Sequence, residues 1–588
     1  MRERSRTRSP PASRRKRNAS RRDVSGAHLE PLVRSAPARL PRAPRKWQSW
    51  ALLTVLVAYV AGTVWSWNYI DMTLSTLFGG FTELWNLVTY MLPPRFDKIG
   101  EVLDATLETI WMALIGTGGS VLLSIPLAFL AARNTTPNPV TFAVARAIIT
   151  LSRAVPTLVL AAVLTLPLGI GPLPGILALA VHSIGMVGKL FTEAIENTES
   201  MSREAVTSTG AGKWQTILAT IVPQITPSCI GTSLYRLDIN LRESAVLGFV
   251  GAGGVGFVIQ TTLRSLDYQR AIAAVSVIFA VITLIEVVSS RLRASIIGDH
   301  LSTPTKRNAR SDAREQRDRR LIVDAVTMRR LTPPWTYERI FRATVGGVFA
   351  LMFVVAFVTI DMPLLSAFGL VDEIGESFGR LFPPDFTTAG PELWQGIRET
   401  VAIGFVATTL GLLLSIPLGI LSARNIVVKR AVYSGTRLFL LVLRGLPELI
   451  VAVLFVAAMG LGPVPGTLAL TLGTATFMAK LIGDALEEVS PVPREAVFAT
   501  GASGVQEFFT SVVPQALPNL VSQTLYMLDV NLRSSTVLGI IGGGGIGFLL
   551  LSALRVLQEP TVGAIIIVIF VIVYSIELVG SFVRWMVE

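Results

Sequence analysis

The sequence predicts an all-α polytopic membrane protein, with about twelve transmembrane helices in two parallel six-helix repeats. Of its 588 residues, 51% are hydrophobic and only 16% are charged, and the mean hydropathy is +0.58. A soluble protein of this length cannot cover so apolar a chain with polar surface. Apolar runs long enough to cross a bilayer recur along the chain, and its second half repeats its first half in register.

The apolar runs form two series of six. A spanning helix needs roughly 17–25 mostly apolar residues. The first series lies near residues 51–67, 109–132, 143–166, 175–196, 227–248 and 271–292. The second series lies near residues 343–360, 400–423, 434–458, 466–486, 519–541 and 562–583. An even number of spans in each repeat gives both repeats the same orientation, so their pseudo-twofold axis follows the membrane normal.

Positive charge is concentrated in two polar segments outside the repeats. Residues 1–48 are rich in Arg, Pro and Ser, and their excess of positive charge equals the +12 of the whole chain. This composition predicts a disordered tail, which the positive-inside rule places in the cytoplasm. Contact with anionic lipids is favoured over nucleic-acid binding. Residues 293–340 form a basic cytoplasmic linker between a first repeat at 49–292 and a second at 341–588.

Cysteine and histidine usage argues against redox and metal chemistry. Cys229 is the one cysteine of the chain, so no intramolecular disulfide can form. The three histidines, His28, His182 and His300, are scattered and show no metal-ligand spacing. The sequence therefore predicts no metal site and no bound cofactor.

One stretch looks at first like a phosphate-binding loop. Residues 203–217 read REAVTSTGAGKWQTI, but a Walker loop needs a glycine where Thr207 stands and a hydroxyl residue where Trp214 stands. The second copy, residues 494–508, reads REAVFATGASGVQEF and lacks the Gly-Lys pair. Both copies keep Arg-Glu-Ala-Val, the glycine and a later Val-Pro-Gln. This pattern predicts a short cytoplasmic helix that leads back into the membrane.

These repeated loops resemble the EAA loop of permease subunits in binding-protein-dependent ABC importers of the type I fold. Both copies have Val where the family has its second Ala, at Val206 and Val497, which is a minor departure. Resemblance is closest to phosphonate permeases, through RGLPELI at 444–450 with its weaker copy at 153–159, and through the glycine-rich segments at 240–257 and 531–548. The matching loop positions are Glu204, Ala205, Gly210 and Pro223, and Glu495, Ala496, Gly501 and Pro514.

The resemblance implies a type I importer permease fold with two repeats fused in one chain, embedded in the cell membrane and working by alternating access. It implies that two copies of a separate ATPase subunit dock on the coupling residues, and that an extracytoplasmic binding protein delivers a phosphonate or related phosphorus oxyanion. ATP and magnesium would bind the ATPase subunits, so this chain would not itself be an enzyme. The expected ATPase-coupling residues are Glu204, Ala205, Gly210, Glu495, Ala496 and Gly501.

Charged groups within predicted spans are candidates for the substrate pathway, because intramembrane charges usually serve function. The arginines are paired by the repeat, and the glycine tracts cannot be stable helix interior. Asp238 and Asp529 can instead pair with an arginine one turn away, which leaves a purely structural role open, and Glu448 can offset Arg444. The pathway candidates are Arg153, Arg444, Arg242, Arg533, Asn240, Asn531, Gly254 and Gly545.

Three other functions fit parts of the sequence. Twelve spans in two parallel halves also suit a secondary transporter. An ABC importer of another small solute would share every feature except the phosphonate-like motifs. A membrane scaffold or sensor would use the repeated loops only to bind partners.

Overall fold

The computed structural model describes residues 46–297, 337–360, 367–388, 390–427 and 429–587. Most of the predicted tail at 1–48 and most of the predicted linker at 293–340 therefore lie outside the described residues. The chain divides into two compact units, Met1–Thr54 and Val55–Glu588, and all packing discussed below lies within the second. In the described ranges every regular element is a helix. Eight of these helices are long and apolar enough to cross a membrane, or up to eleven if each bent pair counts as one span.

The helices follow the same order in both repeats, so each helix of the second repeat corresponds to the one eleven numbers earlier. The first repeat contains α1 (Lys46–Tyr69), α2 (Leu74–Met91), α3 (Ile99–Ala131), α4 (Pro139–Ala154), α5 (Thr157–Leu168), α6 (Pro172–Glu196), α7 (Ser200–Thr207), α8 (Lys213–Thr216), α9 (Val222–Leu247), α10 (Gly254–Arg264) and α11 (Tyr268–Ile297). The second contains α12 (Tyr337–Thr359), α13 (Ala367–Arg380), α14 (Gly390–Leu421), α15 (Arg430–Gly445), α16 (Glu448–Met459), α17 (Pro463–Glu487), α18 (Pro491–Ala499), α19 (Gly504–Glu507), α20 (Val513–Leu538), α21 (Ile546–Arg555) and α22 (Glu559–Val587).

Two predicted spans, near 143–166 and 434–458, are each broken into two helices. The pair α4 and α5 is bent by 90°, and the pair α15 and α16 by 79°. Pro156 and Pro447 stand at the breaks, and the residues before them have extended backbones, with ψ of 124° at Val155 and 126° at Leu446. Proline disfavours the helical region for the preceding residue and offers no backbone N–H. The bends therefore follow from these two prolines.

The first two helices of each repeat pack against the other repeat. On α1, the Tyr59 hydroxyl lies 2.9 Å from the Thr409 hydroxyl of α14, while Phe353 of α12 packs on Gly118 of α3. Helix α2 packs on α16 and α17, and α13 packs on α5. The largest hydrophobic cluster accordingly draws on helices of both repeats. Part of the apolar surface of each repeat is thus buried by the other within the unit Val55–Glu588.

The glycine tracts make a tight reversal between α9 and α10, and again between α20 and α21. A single 3₁₀ turn, Gly248–Val250 or Gly539–Ile541, ends the long helix. Positive φ follows at Gly251 (90°) and Gly542 (97°), a region that favours glycine. Of the predicted non-helical tracts, 251–256 and 542–547, residues 251–253 and 542–545 form the turns, while the remaining residues begin α10 and α21.

Side chains from a neighbouring helix cap the short helices that follow the reversals. Glu108 Oε2 accepts from the Gly254 N–H at 3.1 Å, and Glu399 Oε2 accepts from the Gly545 N–H at 2.8 Å. Thr109 and Thr400 accept the next N–H groups, each at 2.9 Å. Because the first N–H groups of a helix lack partners within the helix, these residues satisfy donors that would otherwise be buried and unpaired.

We expect Gly248→Ala and Gly539→Ala to lower the free energy of unfolding by about 1–3 kcal/mol, the usual cost of overpacking. A Cβ at either position would meet backbone rather than a movable side chain. The Gly253 carbonyl oxygen would lie 2.5 Å from a Cβ at residue 248, and the Gly544 carbonyl oxygen 2.5 Å from a Cβ at residue 539. Unfolding of the detergent-purified protein would be measured.

The matched control is Gly435→Ala, where no atom lies within 4 Å of the added Cβ. This helical change should be neutral or stabilising, since alanine is the better helix former. Equal stability of all three variants would contradict the role assigned to the reversal.

Candidate functional site

A cavity of about 440 Å³ with several charged residues in its lining lies where helices of both repeats meet. Its charged lining consists of Arg242, Glu243, Arg444, Glu448 and Arg533. Its other polar lining residues include Thr157, His182, Thr476, Tyr526 and Ser534, and the remainder is mainly apolar. Three of the four arginines predicted for the pathway therefore line one chamber.

Glu286 of α11 joins two of these arginines across the repeats. Its carboxylate lies 2.8 Å from Nη2 of Arg242, in the first repeat, and 3.5 Å from Nη2 of Arg444, in the second. Arg242 also pairs with Asp238, one turn earlier on α9, at 3.3 Å. One carboxylate thus shares its charge between two guanidinium groups, which remain partly exposed to the cavity at 25% and 28%.

Among the described residues, Arg533 makes fewer and longer ion pairs than its counterpart Arg242. Among the described residues its one ion pair is with Asp529, at 3.7 Å. Its Nε is buried and has no hydrogen-bond acceptor in the described structure, and the same is true of Arg242 Nε. The guanidinium group of Arg533 lines the cavity together with those of Arg242 and Arg444.

Five predicted pathway residues lie elsewhere. Arg153 is in the last turn of α4, packs against Gly185 of α6 and does not line the cavity. Gly254 and Gly545 belong to the capped reversals described above. A pathway role for these residues, and for the two asparagines described next, stays a prediction.

Asn240 and Asn531 are completely buried and hold three helices together. The Asn240 amide donates to the hydroxyls of Thr117 (2.8 Å) and Ser183 (3.0 Å). The Asn531 amide does the same with Thr408 (2.9 Å) and Thr474 (2.8 Å). Buried amides with satisfied hydrogen bonds fix helix register, so in this structure both asparagines contribute to packing.

The two walls of the cavity differ in how their carboxylates are paired. In the first repeat, the Thr157 hydroxyl donates to Glu243 Oε2 at 2.8 Å, and Nη2 of Arg236 lies 3.4 Å from the same oxygen. In the second repeat the corresponding positions are Glu448, Ser534 and Met527. Glu448 makes no hydrogen bond or ion pair with any residue that the structure describes. The first wall is therefore internally neutralised, and the second presents an unpaired carboxyl group.

A glycine makes room for that carboxyl group. Glu448 Oε1 lies 2.9 Å from the position that a Cβ would take at Gly473. The first repeat has His182 at the equivalent position, where its Nδ1 lies 3.0 Å from the Val155 carbonyl. His182 thus stands where the second repeat has the glycine beside Glu448, and its contact with the Val155 carbonyl supports a packing role.

Sequence reasoning missed Glu286, Glu243 and Arg236. Glu286 could have been found, because the same repeat register pairs it with Glu577 in an apolar run. Paired intramembrane carboxylates indicate a functional site as paired arginines do. Arg236 and Glu243 have no charged counterparts in the second repeat. Repeat symmetry therefore gave no signal for them.

The predicted coupling loops are exposed helix–turn segments. Helices α7 and α18 are followed by Gly210 (φ 83°) and Gly501 (φ 84°), which turn the chain as expected. All six predicted coupling residues are exposed. Large apolar side chains lie on both segments, including Met201 at 80% exposure and Trp214 at 75%. Exposed apolar groups on a short helix are typical of a protein-binding surface.

The opposite face carries two unlike loops before the long helices α3 and α14. In the first repeat, Arg270 donates to Asp97 at 2.6 and 3.1 Å, and this contact lowers the pKa of the Asp97 carboxyl group. In the second, hydrogen bonds from Thr387 and Thr388 lower the pKa of Asp385. Both carboxylates are therefore ionised at neutral pH, but only the first lies beside arginine.

Paired repeats of membrane-spanning helices around a cavity with charged lining residues, with exposed loops at one end, are typical of the membrane component of a transport system. The family model for the binding-protein-dependent transport system inner membrane component matches residues 124–297 and 415–586. The chain belongs to this family, with one family domain in each repeat. This match confirms the predicted family resemblance, the predicted fold class and the predicted function as an ABC importer permease. It argues against a secondary transporter.

Two relatives of the chain are named as permeases for phosphorus oxyanions. The chain is 45% identical over 515 residues to a phosphate-import permease protein of Mycolicibacterium smegmatis, covering 88% of this chain and 91% of that protein. It is 37% identical over 247 residues to a phosphite transport system permease protein of Stutzerimonas stutzeri, covering 42% and 89%. A solved inward-facing methionine ABC transporter matches at 25% identity and a TM-score of 0.30, covering 33% of this chain and 95% of that one.

We expect Glu286→Gln and Arg444→Gln to be energetically coupled, because each removes the same ion pair. In a double-mutant cycle, unfolding free energies in mixed micelles should show a coupling of about 0.5–3 kcal/mol. The control cycle uses Lys189 and Glu193, which are 3.8 Å apart with half-exposed side chains and should show little coupling. Additive effects at Glu286 and Arg444 would show that the bridge does not stabilise the contact between repeats.

Proposed function

We propose that this chain forms the membrane pathway of an ATP-driven importer for a phosphonate or a related phosphorus oxyanion such as phosphate or phosphite. The observation that carries the proposal is the cavity between the repeats, into which Arg242, Arg444 and Arg533 extend. The names of the relatives support the same substrate class.

The chemistry of the cavity suits such a substrate. An oxyanion cannot cross an apolar core alone, because an unpaired charge in low dielectric costs several kcal/mol even after relaxation. A guanidinium group keeps its charge when buried and offers paired N–H donors that match phosphate-like oxygens. The arginines come from both repeats, so an oxyanion between them would contact both halves of the transporter. Movement of the halves could then open the cavity to one side and afterwards to the other.

The partners follow from the exposed loops. Two identical ATPase subunits dock on the coupling residues of α7 and α18, hydrolyse ATP with bound magnesium, and drive alternating access. A binding protein delivers the oxyanion at the opposite face. This chain performs no catalysis of its own. It lies in the plasma membrane with its N-terminus in the cytoplasm, where the basic tail contacts anionic lipids.

We expect Arg242→Gln, Arg444→Gln and Arg533→Gln each to lower uptake of labelled phosphonate, phosphite or phosphate about tenfold or more, because each removes a charge-assisted hydrogen-bond donor. The measurement is uptake by proteoliposomes that contain the complete complex, with assembly and ATPase activity checked alongside.

Arg146→Gln is the matched control, since Arg146 pairs with Glu196 at 2.9 Å outside the cavity. It should retain uptake, and Arg153→Gln reports whether an arginine beyond the cavity wall contributes. Unchanged uptake in all three cavity variants would remove the arginine path, whereas loss of assembly would indicate a structural role.

We expect single cysteines at positions 207 and 498 both to crosslink to the ATPase, with unequal yields. Lys213 and Trp214 near the first loop are replaced by Gly504 and Val505 near the second, so the two docking surfaces differ in bulk and charge. Cys229 would first be changed to serine.

Thr261→Cys, which is exposed near the opposite face, is the negative control for crosslinking. Labelling at only one loop would contradict docking of two ATPases. Labelling at neither would contradict the docking surface itself.

A further inference from the structure

The unpaired carboxyl group of Glu448 is the unexplained feature of the cavity. A buried carboxylate normally has a cation or several hydrogen-bond donors beside it. The equivalent chamber wall in the first repeat follows that rule, because Thr157 and Arg236 both satisfy Glu243. Glu448 faces the same cavity without such partners among the described residues. Its one evident compensation is its place as the first residue of α16, where the helix dipole favours a negative charge.

The neighbours of Glu448 have changed together with it. Met527 stands where Arg236 would neutralise a carboxylate, Ser534 stands where Glu243 would be, and Gly473 leaves the space that His182 fills in the first repeat. The second wall has thus lost an internal ion pair and gained an open acceptor. Arg533, on the same wall, has one long ion pair among the residues that the structure describes. Both an acceptor and a donor are therefore available to a ligand there.

We infer that Glu448 and Arg533 select oxyanions that keep a hydrogen on one oxygen, with Arg533 binding an ionised oxygen and Glu448 accepting the hydrogen of the P–OH group. This inference rests on the proposed function and names the protonation state of its substrate. An ionised carboxylate can only accept hydrogen bonds, and a P–OH donor beside Glu448 would favour its ionised form. A fully ionised oxyanion would face Glu448 with lone pairs alone and be repelled, whereas a singly protonated phosphonate or phosphate supplies the missing donor.

The pairing of Glu448 with the P–OH group of the ligand also explains why the two walls differ. A tetrahedral oxyanion with one hydroxyl group is itself asymmetric, so it needs one acceptor rather than two. The paired Glu243 of the first wall leaves Glu448 as the single open carboxyl group among the described residues that line the cavity. The ligand would therefore bind in one orientation, with its hydroxyl group toward the second repeat.

The test compares two ligands of similar shape, methylphosphonate and trifluoromethylphosphonate. The fluorines withdraw electrons, so the second ligand is fully ionised at a neutral pH where the first still carries a proton. The complete complex, with ATPase and binding protein, is reconstituted in proteoliposomes, and kcat/KM for uptake of each ligand is measured. Because wild-type and variant complexes share the same binding protein, comparison of their ligand preferences removes its contribution.

We expect Glu448→Gln to lower the preference for methylphosphonate about tenfold, the size of a hydrogen bond to a charged group. The glutamine amide can donate to an ionised oxygen, so uptake of trifluoromethylphosphonate should be kept or raised. Glu243→Gln, which removes the already paired carboxylate, should change uptake of both ligands in the same proportion. Proportional loss of both ligands in Glu448→Gln, or no change, would overturn the inference.

A second variant guards against misfolding. Glu448→Thr introduces the residue that the first repeat has at this position and should also lower the preference for methylphosphonate. An unchanged preference in an assembled Glu448→Thr complex would equally overturn the inference. If the wild-type complex transported neither ligand nor inorganic phosphate, the proposed function itself would fail, which is a different outcome from a lost preference.

Discussion

A charge inside a membrane needs a counter-charge. In this structure Glu286 supplies it to one arginine from each repeat, Arg242 and Arg444. Two guanidinium groups at the meeting point of the repeats would repel each other in a low-dielectric medium. A single carboxylate between them turns repulsion into attraction. It leaves both groups partly exposed to the cavity, so the same contact that joins the repeats also holds two donors at the position a ligand would occupy.

The surrounding helices hold these charges in place by backbone chemistry. Bends at Pro156 and Pro447 end α4 and α15 beside the cavity, so that Arg444 lies in a last helical turn. The capped reversals fix the far ends of α9 and α20, which carry Arg242 and Arg533. The first two helices of each repeat pack on helices of the other repeat. Each of these features occurs twice, because the residues that produce it are present in both copies of the repeat.

Repeat symmetry largely determined what could be predicted from the sequence. Helix positions, coupling loops, prolines and paired arginines recur in register, and the structure confirms the helices and the turns at Gly210 and Gly501. The repeat register does not show whether a side chain lines the cavity or packs between helices. Asn240 and Gly254 share segments with Arg242, yet they face the helix packing and the reversal. Residues present in one repeat only, such as Arg236 and Glu243, gave no repeat signal, although they decide the charge of one wall.

Fusion of the repeats is what permits those unmatched residues. In a homodimer of identical subunits, every substitution appears on both walls, so two open carboxylates would face an anionic ligand, or none would. In one chain, the carboxylate at Glu243 can be neutralised while that at Glu448 stays open, and Gly473 can make room for it without weakening the packing at His182. The asymmetry of a protonated oxyanion can then be matched by the asymmetry of its chamber. The exposed loops, by contrast, keep one form in both repeats, a short helix followed by a glycine with positive φ.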